Sequence, residues 1–239
     1  MILDNGAEED IRQDTEEHWI AVSDLMSGLM MVFLLIAVMY LVIVERKNRE
    51  IQQVAILYED LRDALYADLE AEFRDDMPRW GAELSTDLAF RFTNTDLLFE
   101  TGESSLKPEF TAILEEFFPR YIRILNSQRY QDEIAEVRIE GHTSSGWGGA
   151  LDSDDAYMRN MALSQERTRS TLGYLLELPD MAAQKNWLRE HLTANGLSSS
   201  KPILTDAGLE DEERSRRVEF IVRTDAEARI TTILQDIGP

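Results

Sequence analysis

Residues 135–178 read AEVRIEGHTSSGWGGALDSDDAYMRNMALSQERTRSTLGYLLEL, and this stretch decides the fold of the C-terminal half. AEVRIEG (135–141) predicts a strand, and the Gly/Ser-rich HTSSGWGG (142–149) predicts a loop. A helix is expected from about Asp155 to Leu178. LAFRFT (88–93) upstream alternates like a second strand. The loop TNTDLLFETGESS leads from it to a helix from about Lys107 to Leu125. Downstream, residues 180–195 predict a short helix ending near Asn195 and Gly196, and KPILTDAG (201–208) a short strand. RVEFIVRT (217–224) is a clear strand, and AEARITTILQDI (226–237) an amphipathic tail. Strands alternating with helices make residues 85–224 an α/β domain, followed by a tail over 225–239.

The N-terminal part is of another kind. LMSGLMMVFLLIAVMYLVIV (25–44) holds 20 residues without a charge, the length of a helix that crosses the hydrocarbon core. Trp19 and Tyr40 flank it as interfacial aromatics do, so residues 19–44 are read as one uncleaved transmembrane helix. Before it, residues 1–18 form an acidic segment with seven acids and one base, and its run 8–17 is expected to be solvated and disordered. After it, residues 45–84 read as a juxtamembrane helix and linker. Ile51, Val54, Tyr58, Leu61 and Leu65 follow a-and-d spacing, which fits a two-stranded coiled coil or an amphipathic helix on a partner. Pro78 is expected to end that helix. Arg46, Lys47 and Arg49 on this flank would place the C-terminal side in the cytoplasm by charge bias alone.

Composition removes several function classes. The chain has 239 residues, 46 acidic and 24 basic, for a net charge of −22, which disfavours direct nucleic-acid binding. It has no cysteine, so disulfides, thiolate zinc sites and cysteine nucleophiles are excluded. His18, His142 and His191 are too scattered for a histidine metal site, and a structural role is expected for His142. No nucleophile–base pair stands out, so neither an enzyme nor a cofactor is expected. Asp24 is the exceptional residue, because ionisable groups in membrane segments are costly and tend to be functional. Ala21, Asp24, Gly28 and Met31 share a helix face, with Ser23 and Ser27 beside it. A carboxyl desolvated at such a small-residue interface favours its neutral form and can exchange a proton. The alternative is a helix N-cap at the headgroups, with the carboxylate in water.

Four motifs occur in order: LLFETGESSLKPEF (97–110), IEGHTSS (139–145), NMALSQERTRSTLGYL (160–175) and RSRRVEFIV (214–222). They resemble the OmpA/MotB peptidoglycan-binding domain over roughly residues 88–224. The segment around Asp24, WIAVSDLMSGLM (19–30), resembles the B subunits of MotB-type stators. The H-T-S-S loop and the long juxtamembrane helix resemble the ZorB branch of those subunits, found in Zorya anti-phage systems. The resemblance implies an α+β protein with a single transmembrane helix, a juxtamembrane helix and an OmpA-like βαβαβ-type domain with a mixed sheet.

It also implies roles. Asp24 would accept the translocated ion, a proton with sodium as alternative, and Ser23 and Ser27 would hydrogen-bond water or the carboxyl. The partners would be a MotA- or ZorA-like multi-span subunit, a second copy of the chain and the peptidoglycan stem peptide. A passive membrane-tethered wall anchor is the competing implication. The N-terminus would be cytoplasmic and the C-terminal domain periplasmic in a bacterial inner membrane, against the charge bias. In the family an Asp of the loop contacts the ammonium of diaminopimelate and an Arg its carboxylate. These positions are Ser144 and Arg167, and Asp152, Asp154 or Asp155 would have to replace the missing Asp. Asn160, Leu163 and Arg217 match further site positions, with a core role open for Leu163 and an ion-pair role for Arg217.

Overall fold

The computed structural model describes residues 6–225. The expected tail helix lies outside them from residue 226 onward. Helix α1 runs Gly6–Phe73. The acidic run 8–17 is therefore helical rather than disordered. It is made largely of Glu, Gln, Arg and Ile and continues straight into an apolar helix, which removes the cost of a separate nucleus. The chain divides into two compact units, one ending at Val54 and the other starting at Ala55.

In the first unit the apolar segment is bare. Leu25, Met26, Phe33, Leu34 and Tyr40 are all exposed in the single chain. Among the described residues, α1 is the one helix long and apolar enough to cross a membrane. Such a surface in water would be a large liability, so lipid or partner helices must cover it.

The second unit is the α+β domain. After α1 come a short helix α2 (Met77–Trp80) and strands β1 (Ala82–Leu84) and β2 (Ala89–Phe92). Next are α3 (Thr95–Leu98), α4 (Pro108–Leu125), β3 (Ile134–His142) and α5 (Ser153–Glu177). A 3-10 turn (Pro179–Gln184), α6 (Lys185–His191), β4 (Leu192–Gly196), α7 (Glu212–Ser215) and β5 (Arg217–Thr224) complete it. The sheet order is β1-β2-β5-β3-β4, mixed because β3 and β4 pair in parallel while the other pairs are antiparallel. A parallel pair needs a crossover, and α5 supplies most of it.

Three expectations change here. The helix expected over 180–195 stops at His191, and residues 192–196 form edge strand β4. KPILTDAG holds no strand, only an isolated bridge from Leu204 to Glu210. Pro78 does not terminate α1, which ends at Phe73; it starts α2, where its missing N–H costs nothing.

The expected linker is also partly domain. Leu65, Leu69 and Phe73 on the last turns of α1 are fully buried in the domain core, and Leu61 packs against it. These side chains are engaged within one chain, which removes them from a two-stranded seam. Phe117 of α4 sits among Phe73, Phe90, Phe92 and Phe220, with ring centroids 4.7–5.3 Å apart. Arg120 ties the same end of α1 down, donating to Glu72 and Asp76 at 2.7 Å each. Leu69→Ala is expected to cost about 3 kcal/mol, as a core truncation does and a linker truncation does not. Chemical denaturation of the full chain in detergent measures it.

One face of the sheet carries this apolar core and α5. The other carries charge: Arg91, Arg138, Glu140, His142, Arg217 and Glu219, brought together by the pairing of β3 and β2 with β5. The alternation of side chains along each strand separates the two faces.

Candidate functional site

The loop after β3 and the start of α5 form the floor of a cavity of about 730 Å³. Asp152 caps α5 by accepting the Asp155 N–H at 2.9 Å, and Asp154 and Asp155 add negative charge at the positive end of the helix dipole. From this fixed start, one face of α5 presents Asn160, Leu163 and Arg167 to the cavity. Asn160 is buried and donates from Nδ2 to the carbonyls of Ser144 at 3.1 Å and Gly146 at 3.3 Å. It therefore holds the loop that brings Ser144 to the wall of the cavity. Leu163 is half-buried and lines the cavity, so it is not a core residue.

Arg167 is the central group. It is 9% exposed, and its Nε and Nη2 donate to the carbonyls of Glu103 (2.8 Å) and Glu100 (3.1 Å). Its guanidinium carbon lies 4.8 Å from the centroid of the Phe99 ring. Both carbonyls belong to the LLFETGESS segment, so Arg167 clamps the loop before α4 against α5. Burial, with the Arg216 charge nearby, pulls its pKa down to about 10. Among the described residues no carboxylate forms an ion pair with it. A buried cation without an anion is costly, and here it faces a cavity.

The other predicted residues fall elsewhere. Arg217 does not line this cavity. It points to the charged face of the sheet, where Nε donates to Glu219 and Nη1 to the carbonyls of Lys201 (3.3 Å) and Ser215 (3.1 Å). The cause is strand parity: Arg217 opposes His142 in the β5–β3 ladder, and its neighbour Arg216 lines the cavity instead. Asp152, Asp154 and Asp155 do not line it either. Asp152 is occupied as the cap, and Asp155 accepts from Arg159 and from the Leu151 N–H. The acid that does line the cavity is Glu212, from α7, which sequence reasoning missed. Its one sequence signal was proximity to the RSRRVEFIV motif.

The charged face needs separate treatment. Glu140, His142 and Glu219 are buried and bring three possible ligand atoms within 4.8 Å of one another. His142 Nε2 lies 3.5 Å from Glu140 and 4.0 Å from Glu219, and neither ring nitrogen has a hydrogen-bond partner among the described residues. The structural hydrogen bond expected of His142 is thus missing at normal distance. The carboxylates already face Arg138 and Lys201 on Glu140, and Arg91 and Arg217 on Glu219. A dication would enter against four cations, so the arrangement reads as a buried ion cluster. Burial alone would raise the Glu140 pKa, but His142, Lys201 and Arg138 together hold it at about 2. Burial first, then the Arg217 charge, lower the affinity of His142 for a proton, although Glu140 and Glu219 oppose this.

In the first unit, α1 begins at Gly6, many turns before Asp24. Asp24 is therefore inside a helix and cannot be its N-cap, because the N–H groups a cap would satisfy are already in the helical ladder. Asp24, Ser23 and Ser27 are exposed on the single chain, and a side chain added at Gly28 would meet nothing within 4 Å.

No protein-family profile matches the chain. Among curated proteins it is similar to the Zorya protein ZorB of Escherichia coli strain Crooks. The two are 45% identical over 226 residues, covering 94% of this chain and 95% of that protein. Among solved structures it is similar to a putative MotB-like protein from Desulfovibrio vulgaris: 22% identity, TM-score 0.47, covering 70% of this chain and 96% of that one. The cell wall anchor of the type VI secretion system from Pseudomonas aeruginosa gives 23% identity and a TM-score of 0.45 over 65% and 96%. The periplasmic domain of Helicobacter pylori MotB gives 17% and 0.41 over 63% and 87%.

Proposed function

The chain belongs to the ZorB family, and on that footing we propose that it is the wall-anchored, ion-conducting B subunit of a stator-like membrane motor in a Zorya-type anti-phage complex. One observation carries the wall-binding half of this reading. Arg167 is buried in the wall of a cavity, with no described carboxylate paired to it, beside Ser144, Asn160 and Leu163. A carboxylate of the peptidoglycan stem peptide is the partner such a guanidinium suits, because it accepts charge-assisted hydrogen bonds. Nη1 has no described hydrogen bond and remains to bind it.

The ion-conducting half rests on Asp24. A carboxyl inside an apolar helix, flanked by Ser23, Ser27 and Gly28, is costly unless a partner or a proton neutralises it. A multi-span MotA- or ZorA-like subunit would cover the bare surface of α1, and a second copy of this chain would share it. Protonation of Asp24 then removes a buried charge and lets the partner ring step past, a local electrostatic change with a global readout. Such a subunit works in a bacterial inner membrane with its N-terminus cytoplasmic and its domain periplasmic. The proton is the preferred ion and sodium the alternative. The role contains no bond-making step and calls for no cofactor.

The wall reading is tested by pull-down of the full chain on purified sacculi. Arg167→Ala should reduce bound protein at least tenfold, the loss of one charge-assisted pair in a partly dry site. Thermal unfolding run in parallel separates lost binding from lost folding, because Arg167 also clamps the 99–103 loop. Undiminished binding by a folded variant would overturn the assignment.

A further inference from the structure

Glu83, Arg91, Glu219 and Glu140 stand side by side across β1, β2, β5 and β3, and His142 opposes Arg217 two positions further along. The segment 198–216 crosses this charged face. The Ser198 carbonyl accepts the Thr143 N–H at 3.0 Å, and Lys201 Nζ lies 3.6 Å from Glu140. The carbonyls of Lys201 and Ser215 accept from Arg217 at 3.3 and 3.1 Å, and Arg214 lies 3.5 Å from Glu83 on the edge strand. The same segment builds part of the cavity on the other side. Glu212 and Arg216 line it, and Glu210 accepts the Ser145 N–H at 3.0 Å, next to Ser144. What holds 198–216 down on the sheet therefore also holds one part of the cavity lining.

His142 lies beneath this segment with its side chain 1% exposed. Neither ring nitrogen has a hydrogen-bond partner among the described residues, and the same holds for Glu140 Oε2 and the Thr143 hydroxyl beside it. A buried polar ring left so unsatisfied weakens the closed arrangement, because water would satisfy it in an open one. The charged groups that face it are Glu140 and Arg138 on β3, Glu219 and Arg217 on β5, Arg91 on β2 and Lys201 on the covering segment. We infer that His142 is an acid-sensitive latch: proton uptake by its ring favours release of the 198–216 segment from the sheet, and with it the loosening of the cavity. The direction follows from linkage. Burial first and Arg217 next lower the affinity of the closed form for the proton, against Glu140 and Glu219. An open form exposes the ring to water and takes the proton near the ordinary 6.5. Acid therefore shifts the balance to the open form as pH falls below 6.5, until the closed form is protonated too. The consequence for the cell wall rests on the wall reading of the cavity; the latch itself does not.

Amide hydrogen exchange on the full chain in detergent, corrected for the intrinsic pH dependence of exchange, supplies the test. Between about pH 7.5 and 5.5 the protection of 198–216 should fall about tenfold in wild type, while strand 134–139 keeps its protection, since the opening is local. His142→Gln carries no titrating ring and should show no such fall, whereas His191→Gln should respond like wild type. Histidine-ring NMR on wild type gives a check that needs no variant: His142 should take up its proton at lower pH than an exposed histidine. Unchanged protection of 198–216 in wild type, an equal fall in His142→Gln, or a His142 ring already charged at about pH 7.5 overturns the inference. Binding of purified sacculi should weaken over the same interval in wild type and not in His142→Gln. Failure of the wall reading shows differently: a folded Arg167→Ala variant would bind sacculi as well as wild type, while the exchange response stayed.

Discussion

Asp24→Asn should abolish phage protection completely in cells carrying the full gene set, while the protein still accumulates in the membrane. The substitution keeps the size and shape of the side chain and removes only its ionisation. In an apolar helix an amide is tolerated better than a carboxylate, so folding and insertion should not suffer. What is lost is the change of charge. A group that cannot alternate between charged and neutral forms cannot drive a partner past it, because both states of the cycle become electrostatically identical. Plating efficiency should therefore equal that of empty cells. Dye-reported proton flux through the assembled complex should fall to the background of the bare membrane. Ser27→Ala beside it should give a partial effect, since it removes a hydrogen-bonding group and not the titrating one. Full protection by both Asp24→Asn and Asp24→Ala would sink the motor reading and leave the passive wall tether. That alternative has already lost its account of Asp24 as a helix cap, because α1 begins at Gly6.

Gly196→Ala should destabilise the domain by about 4 kcal/mol or more, a large share of the 5–15 kcal/mol that holds a typical domain together. Gly196 lies on β4 beneath α5. A Cβ there would stand 2.2 Å from the Gln165 backbone nitrogen and 2.6 Å from the Gln165 Cα. Its opponents are main-chain atoms of a long helix, which no rotamer change can move aside. Gly141, the residue paired with Gly196 on β3, meets the same helix, with Thr168 Cγ2 at 2.7 Å and the Ser164 carbonyl oxygen at 3.0 Å. Two adjacent strands thus let α5 approach the sheet backbone closely, and that approach sets the height of Asn160, Leu163 and Arg167 over the cavity. Gly173→Ala on the same helix is the control. It has open space around it, so Ala should stabilise by up to about 1 kcal/mol through lower backbone entropy in the unfolded chain. A cooperative unfolding transition in detergent distinguishes the two, and similar midpoints for both variants would refute the close-packing argument.

Much of the site was legible because local sequence carried it. The resemblance of NMALSQERTRSTLGYL to the family motif pointed to Asn160, Leu163 and Arg167, and all three line one cavity. Which acid lines the cavity was not legible. Asp152, Asp154 and Asp155 were near in sequence, but helix capping and Arg159 claim Asp152 and Asp155. Glu212 lies 68 positions from Ser144 (212 − 144 = 68). Arg216 and Arg217 could not be told apart either, since adjacent residues differ only in which side of the extended chain they occupy.

The sequence by itself determined the membrane helix, the strands at 89–92, 134–142 and 217–224, and the two long helices α4 and α5. Each rests on a periodicity or an apolar run longer than any competing signal. It also determined that the chain carries no thiol chemistry, but left Asp24 open between a helix cap and a carboxyl inside the helix, which the start of α1 at Gly6 decided. Tertiary structure alone decided that the end of α1 belongs to the domain core. An amphipathic face reports that something covers it, without saying what. It alone made LTANG (192–196) a strand, because its pairing with β3 overrides a weak local preference. It alone brought Arg167 and Glu212 into the lining of one cavity. Which distant segments meet is fixed by sheet register and helix packing, and neither leaves a periodic trace in the chain.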